Sequence, residues 1–333
     1  FPSPHFSLNG ITMTRGGTTI FIPETRISPR WLSLLQQQVD LGELRLVRPK
    51  ITVTSWPPKD SGTPPELPNL NITIVEGTAL VAAPPFAKDP ARSPLVIDRI
   101  NSRLRLTPKR CELQLTCASS LFSKLEAKGH YQSTDQSYQL DYDLIGLDLG
   151  NLIPDQLGGR LRPKISGLSL QGSVTGQGLE RYQVQMAGDF PCFLFPRAPG
   201  KNFLDCGEFS LTIDKNPQAL AIAIAKLQLK NPATELSGRI AVSQAVLQSS
   251  LIEEGTAAPV ATWLVDLSGQ NLDVSAIRQT VLDLFGDHHV AQLVCDIVRG
   301  GTANRASYYF QGPLADFEHL EKMLIKVDVD RAE

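Results

Sequence analysis

Alternation with a period of two, returning along most of the chain, is the feature that most restricts the fold. Its clearest run is Cys111, Leu113, Leu115 and Cys117, separated by Glu112, Gln114 and Thr116. Tyr138, Leu140, Tyr142 and Leu144 repeat it around Gln139, Asp141 and Asp143. Further copies run through Leu168, Leu170 and Val174; Tyr182, Val184 and Met186; Phe209, Leu211 and Ile213; Leu220, Ile222 and Ile224; and Leu236, Ile240 and Val242. A period of two sends every second side chain to the same face of a sheet. One apolar and one polar face is the signature of antiparallel sheets, since buried parallel strands read as unbroken apolar runs.

Short turns separate these strands. Thr107-Pro108-Lys109, Ser133-Thr134-Asp135, Val174 to Gly178 and Asp214 to Pro217 carry turn chemistry. Consecutive strands joined this way form a meander, and no crossover helix in the central region supports a doubly wound α/β fold. The expected class is mainly β: an elongated antiparallel sheet or groove of repeated meander strands with a few short helices.

Pro29 to Gln38 reads as a short helix opened by Ser28. Asp273 or Ser275 can cap a helix with Val274, Ile277, Val281, Leu284 and Phe285 on one face and Gly286 as its stop. Asp287 can cap another, with Val290, Leu293, Val294 and Ile297 apolar and Gly300-Gly301 closing it. A strand at 306–311, a short helix at 314–323 and a strand at 324–329 finish the chain. Two proline-rich stretches, 57–68 and 84–94, are expected to be extended or mobile. The expected organisation is an N-terminal β/α unit at 1–56, a linker or loop at 57–68, the antiparallel sheet or groove at 69–252 and a mixed α/β segment at 253–333. A strand followed by Leu-Asp and a helical turn occurs near Leu147-Asp148 and Leu272-Asp273, consistent with a repeat architecture.

A chain of 333 residues, 42% of them hydrophobic, has enough apolar surface to fold. Its net charge of −2, from 32 basic and 34 acidic residues, lacks the basic excess of a nucleic-acid binder. No apolar run is long enough for a membrane-spanning helix, and the opening residues from Phe1 do not read as a signal peptide. A membrane anchor upstream of Phe1 is therefore an expectation.

None of the five cysteines forms a Cys-x-x-Cys pair. Cys192 and Cys206 flank a loop with Pro196, Pro199 and Gly200, which a disulfide could close in an oxidising compartment; two buried free thiols are the other reading. Cys111 and Cys117 are about 20 Å apart along one strand, too far to bridge. Chemistry-bearing clusters are sparse. His288 and His289 are adjacent, so on a helix they diverge by about 100° and cannot easily share an ion. Ser169 lies in an alternating strand, in a run one residue too long for a nucleophile elbow. Asp141 and Asp143 fit the solvated face of a strand better than a sugar-cleaving pair. Asn71-Ile72-Thr73 matches a glycosylation sequon. Neither a metal, a cofactor nor catalysis is expected.

The apolar set remains, and its candidate contact residues are Leu113, Leu115, Leu125, Leu140, Tyr142, Leu168, Leu170, Val184, Met186, Ile222 and Ile224. Alternation alone fits a closed sandwich core better than an open groove for acyl chains.

A resemblance shifts that balance. Ser7 to Met13, then a second strand, then Trp31-Leu32-Ser33-Leu34-Leu35, then Leu41 to Val53 with Pro49 and Ile51, resembles the opening of AsmA-like periplasmic proteins. Leu70 to Leu80 looks like that family's next hairpin, and Gln311 to Leu314 fits it loosely. AsmA-like proteins are related to TamB and to chorein-type bridge proteins. The resemblance implies a periplasmic protein anchored in the inner membrane, with an apolar groove that carries phospholipid to the outer membrane without covalent chemistry. The alternative is a structural or assembly module of the envelope that pairs its strand edges with a protein partner.

Overall fold

The structure is a computed structural model that describes residues 5–30, 41–54, 68–82, 95–148, 162–163, 167–178, 180–189, 193–194, 203–243, 261–285, 291–292, 295–296, 299–313, 316 and 319–332. It is mainly β and mostly antiparallel, as the alternation requires. The chain divides into two compact units, Phe1–Leu147 and Asp148–Glu333.

The first unit holds β1 (Phe6–Arg15), β2 (Thr18–Pro29), β3 (Leu41–Val47), β4 (Lys50–Val53), β5 (Leu70–Val81), β6 (Leu95–Thr107), β7 (Arg110–Ser119), β8 (Lys124–Gln132) and β9 (Ser137–Leu147). From β5 to β9 it is a plain meander. The two-residue turn at Pro108-Lys109 is closed by Thr107 Oγ1, which donates to Arg110 O and accepts from Arg110 N. Strands β3 and β4 run end to end between β2 and β5, antiparallel to β2 and parallel to β5. Parallel neighbours require a long return of the chain, and the stretch between Val53 and Leu70, which includes the proline-rich residues, supplies its length.

A line of irregularities crosses this sheet. Gly10 in β1, Arg48 between β3 and β4, Glu76 in β5 and Arg99 in β6 all have φ between 51° and 68°. They occupy matching register positions. Arg48 N donates to Val75 O (2.8 Å) and Thr78 N donates to Pro49 O (2.9 Å). One strand further, Asn101 Oδ1 accepts from Glu76 N (3.1 Å), and Asn101 Nδ2 donates to Arg99 O (3.0 Å). An extra residue would flip every following side chain to the other face. Here several neighbouring strands slip together, so the apolar set stays on one side. It runs Leu8 to Ile11, Thr25 to Ile22, Leu46 to Pro49 and Ile51, Ile74 to Gly77 and Ala79, and Ser102 to Ile100 and Ile97. Bulges also bend and over-twist strands, and along this fold line the pleat of the sheet changes phase.

The second unit contains the two-residue strands β10 (Arg162–Pro163) and β13 (Phe193–Leu194), which pair with each other, and β13 joins the start of β14. Its main sheet runs β11 (Leu168–Gln177), β12 (Arg181–Asp189), β14 (Phe203–Asn216), β15 (Ala219–Asn231), β16 (Ala233–Ser243), β17 (Thr262–Asp273), β18 (Gly301–Pro313) and β19 (Met323–Ala332). The expected turn at 174–178 starts later, because β11 continues through Gln177 and Gly178 takes the left-handed conformation at φ 63°.

Helix α1 (Val274–Phe285) follows β17. Asp273 Oδ1 accepts from Ala276 N (3.0 Å), the expected N-cap. Arg278 Nε donates to Cys295 O (2.8 Å), which ties the following helical residues to it. The short α-helix expected at 314–323 is not formed by the described residues there. His319 N bonds to Asp316 O and Lys322 N to His319 O, so the chain makes tight three-residue turns, with a 3-10 helix at Leu320–Lys322. Pro313 ends β18 and a 2.6 Å Lys322–Asp316 ion pair holds the tight return to β19. The expected helices at 29–38 and 290–297 fall wholly or partly outside the described residues, as do the second proline-rich stretch and His288-His289.

Candidate functional site

Cross-strand register turns the scattered apolar residues into rows. In the first unit one row reads Leu44, Ile72, Leu104, Leu113, Gly129, Leu140. The next reads Leu46, Ile74, Ser102, Leu115, Ala127, Tyr142. Cys117, Leu125 and Leu144 make a third. In the second unit, Val174, Val184, Ile213, Ile222, Ile240, Val265, Phe310 and Met323 form a row across the whole main sheet. Beside it run Gly172, Met186, Leu211, Ile224, Gly238, Leu267, Tyr308 and Ile325. Leu170 lies one row further, opposite Gly188. All the expected contact residues therefore lie on the apolar face of their own unit: Leu113, Leu115, Leu125, Leu140 and Tyr142 in the first, Leu168, Leu170, Val184, Met186, Ile222 and Ile224 in the second.

Burial distinguishes this face from an ordinary core. Side chains between two stacked sheets are almost wholly covered. Here Leu168 is buried at 4% exposure, but Leu113, Leu115, Leu125, Leu140, Tyr142, Leu170, Val184, Met186, Ile222 and Ile224 are only half-buried. The large residues that are buried are Ile22, Pro49 and Leu106 in the first unit and Leu168, Phe209, Val265, Leu272 and Phe310 in the second. At the outer strand β19, Ile325 and Val327 continue the apolar rows and are 49% and 46% exposed.

The face is also nearly free of charge. By register its described charged positions lie near strand ends: Arg15 in β1, Asp205 and Lys215 in β14 and Arg331 in β19. Lys215 Nζ sits 5.5 Å from the centre of the Tyr182 ring, so the aromatic face offsets some lost hydration. Burial raises the Tyr142 hydroxyl above its ordinary pKa. Burial, and then the nearby Glu112 and Asp98 carboxylates, raise the thiols of Cys111 and Cys117 respectively. Both remain thiols at neutral pH, the opposite of an activated nucleophile. Packing along the fold line is close: a β-carbon on Gly77 would lie 3.0 Å from Ile74 Cγ2 and 3.3 Å from Pro49 Cγ and Ile100 Cβ.

The opposite faces carry the polar residues. Asp141 and Asp143 are exposed across from Lys128 and Glu126 in β8. Ser169 is exposed between Leu168 and Leu170, and Asn71 is exposed in β5. Cys111, Cys117 and Cys295 are free thiols. The Cys192–Cys206 pairing lies outside the described residues, since Cys192 is not among them. No group of three His, Cys, Asp or Glu that could hold a metal ion exists among the described residues, and no described helix is long and apolar enough to cross a membrane. The sequence reading missed the face positions beyond each slip, Pro49, Ile51, Ala79 and Ile97, because strict alternation fails there; the odd spacing Ile74, Gly77, Ala79 is the trace it leaves. Compared with known proteins, the chain matches no family model, no curated protein and no solved structure.

Proposed function

We propose that the apolar sheet faces bind the acyl chains of phospholipid or a similar lipid, and that the protein moves such lipids without covalent chemistry. The observation that carries this reading is the combination on one surface of long uncharged rows and incomplete burial. A core would complete its own burial, and an ordinary wet sheet face would carry charges. Hydrocarbon laid on this face gains about 0.8 kcal/mol for each methylene removed from water, while a headgroup can stay in solvent beyond the rim. The resemblance of the N-terminal segment to AsmA-like proteins supports a periplasmic setting, an anchor in the inner membrane and a role in outer-membrane homeostasis.

The test is extraction and mass spectrometry of lipid from purified protein, with Leu113→Asp and Met186→Asp beside the parent. Co-purifying phospholipid in the parent and its loss in folded variants is the expected result. Lipid-free parent protein that also fails to take up a fluorescent fatty acid would reject the proposal. A second reading has its own observation: β19 is an outer strand of its sheet with Leu324, Ile325 and Val327 about half exposed, which suits strand addition by a protein partner in an assembly module. Crosslinking from β19 to a partner strand, with no lipid bound, would favour it.

A further inference from the structure

Residues 1–110 carry an excess of Arg and Lys over Asp and Glu, and the remainder carries the opposite. Register concentrates that excess on the polar face of the first unit. Arg26, Arg45, Thr73 and Arg103 stand directly opposite one another on β2, β3, β5 and β6, a row about 14 Å long at normal strand spacing. Arg105 lies in the neighbouring row with Glu43, Lys50 follows in β4, and the exposed Arg48 sits at the slip between β3 and β4. Like charges directly across strands are unfavourable, yet little is set against them. Glu24 takes Arg26 at 2.6 Å, Glu43 accepts from Thr73 Oγ1 at 3.2 Å, and Glu112, which faces Arg105, is paired with Arg110. Arg45, Arg48, Arg103 and Arg105 make no ion pair among the described residues.

The same face has a second unusual feature. Just beyond the fold line, Phe21 (39% exposed), Leu80 (39%) and Val96 (37%) point to the polar side. Leu80 is directly opposite Val96, and Phe21 is opposite Lys50. The same face thus presents a row of guanidinium groups and, about 23 Å further along β5 and β6, the exposed apolar pair Leu80 and Val96. Guanidinium groups pair with phosphate in a forked geometry, and apolar side chains on the same face gain nothing from a fully hydrated polyanion. Both are satisfied together at the surface of a bilayer containing anionic lipid, where phosphates lie over hydrocarbon.

We propose that this outer face of β2–β6 is a peripheral membrane-docking surface for anionic bilayers. It lies on the side of the sheet opposite the acyl-binding face and does not depend on that reading. The test is co-sedimentation of the whole chain with vesicles of phosphatidylcholine, or of phosphatidylcholine mixed with phosphatidylglycerol, at low and high salt. Binding to the mixed vesicles alone, weakened by salt, is expected. R45Q/R48Q/R103Q should lower the partition coefficient on the order of 100-fold, R45K/R48K/R103K should retain most of it, and F21S/L80S/V96S should weaken it at high salt as well. Removing three exposed cations from the other unit, K230Q/R239Q/K326Q, should change little. Equal binding to both vesicle types overturns the proposal, as does a folded R45Q/R48Q/R103Q protein that binds like the parent. Polyglutamate or RNA that binds equally well and displaces the vesicles, with F21S/L80S/V96S unaltered, would show an acidic macromolecule to be the partner and would also overturn it. Fatty-acid uptake in the same variants, measured without vesicles, separates this result from a failure of acyl binding.

Discussion

Replacing Leu113 with Asp asks directly whether the apolar face is open. Leu113 sits in the middle of a sheet, on β7, with Leu104 and Gly129 opposite it on β6 and β8. Being half-buried, it loses roughly half of a leucine's burial energy on replacement, about 1 kcal/mol. If the face is open, the new carboxylate reaches water and adds little, so the total cost is about 1–2 kcal/mol. In a closed core the same carboxylate would be an unpaired buried charge costing about 3–5 kcal/mol, a large share of a typical domain stability of about 5–15 kcal/mol. The two cases also differ in pH dependence. A carboxyl buried in a core has its folded pKa raised, so its penalty is absent well below the ordinary carboxylate range and grows as pH rises through it. An open face gives no such trend. Urea unfolding followed by far-ultraviolet circular dichroism, at neutral and mildly acidic pH, measures both quantities. A loss near 4 kcal/mol or more that fades on acidification would refute the open face.

Other expectations follow from named contacts. Gly77→Val must displace Ile74, Ile100 and Pro49, and an overpacking cost of about 1–3 kcal/mol is expected in the same urea experiment; an unchanged midpoint would mean that the fold line is not closely packed. Cys111 is half-buried on the apolar face with its thiol pKa raised by burial and by Glu112. Its alkylation should be slow at neutral pH, accelerate only in alkali and slow further when a fatty acid is added; indifference to the fatty acid would count against acyl binding there. Hydrogen bonding from Lys226, together with its charge, holds the Glu208 carboxyl below its usual range. The stabilisation from that pair is present above the ordinary carboxylate pKa and disappears as pH falls through the lowered one. Glu208→Gln should therefore flatten the acid limb of the stability curve slightly, and a steeper limb would contradict the assignment.

The sequence was most readable where the alternation is strict. Cys111 to Cys117 and Tyr138 to Leu144 show their faces without structural help, because the pleat leaves a strand no other way to segregate those residues. Helix α1 was equally legible, since Asp273 marks its start by a side-chain bond that the spacing anticipates. Reading failed where a local signal was lacking. The slips at Arg48, Glu76 and Arg99 place charged residues, rather than glycine, in the left-handed region, so nothing in the composition announces them. Parallel pairing of β3 and β4 with β5 is also silent in sequence, because a strand of this pattern looks the same whichever way its neighbour runs. The 314–323 stretch has helical composition, but a short return after Pro313 leaves room only for tight turns. Among the functional candidates, alternation identified the apolar positions but could not say how deeply they are covered. The arginine row was invisible because Arg26, Arg45 and Arg103 become neighbours only through register.

The central claim is that hydrocarbon rests on the uncharged faces of these sheets. Photolabelling with a fatty acid that carries a diazirine along its chain, followed by peptide mapping, tests it most directly. Label is predicted at every second residue, on Leu113, Leu115, Leu140, Tyr142, Met186 and Ile224, and not on the intervening Gln114, Asp141 and Gln185. Label spread without that period, or confined to the polar face, would contradict the account.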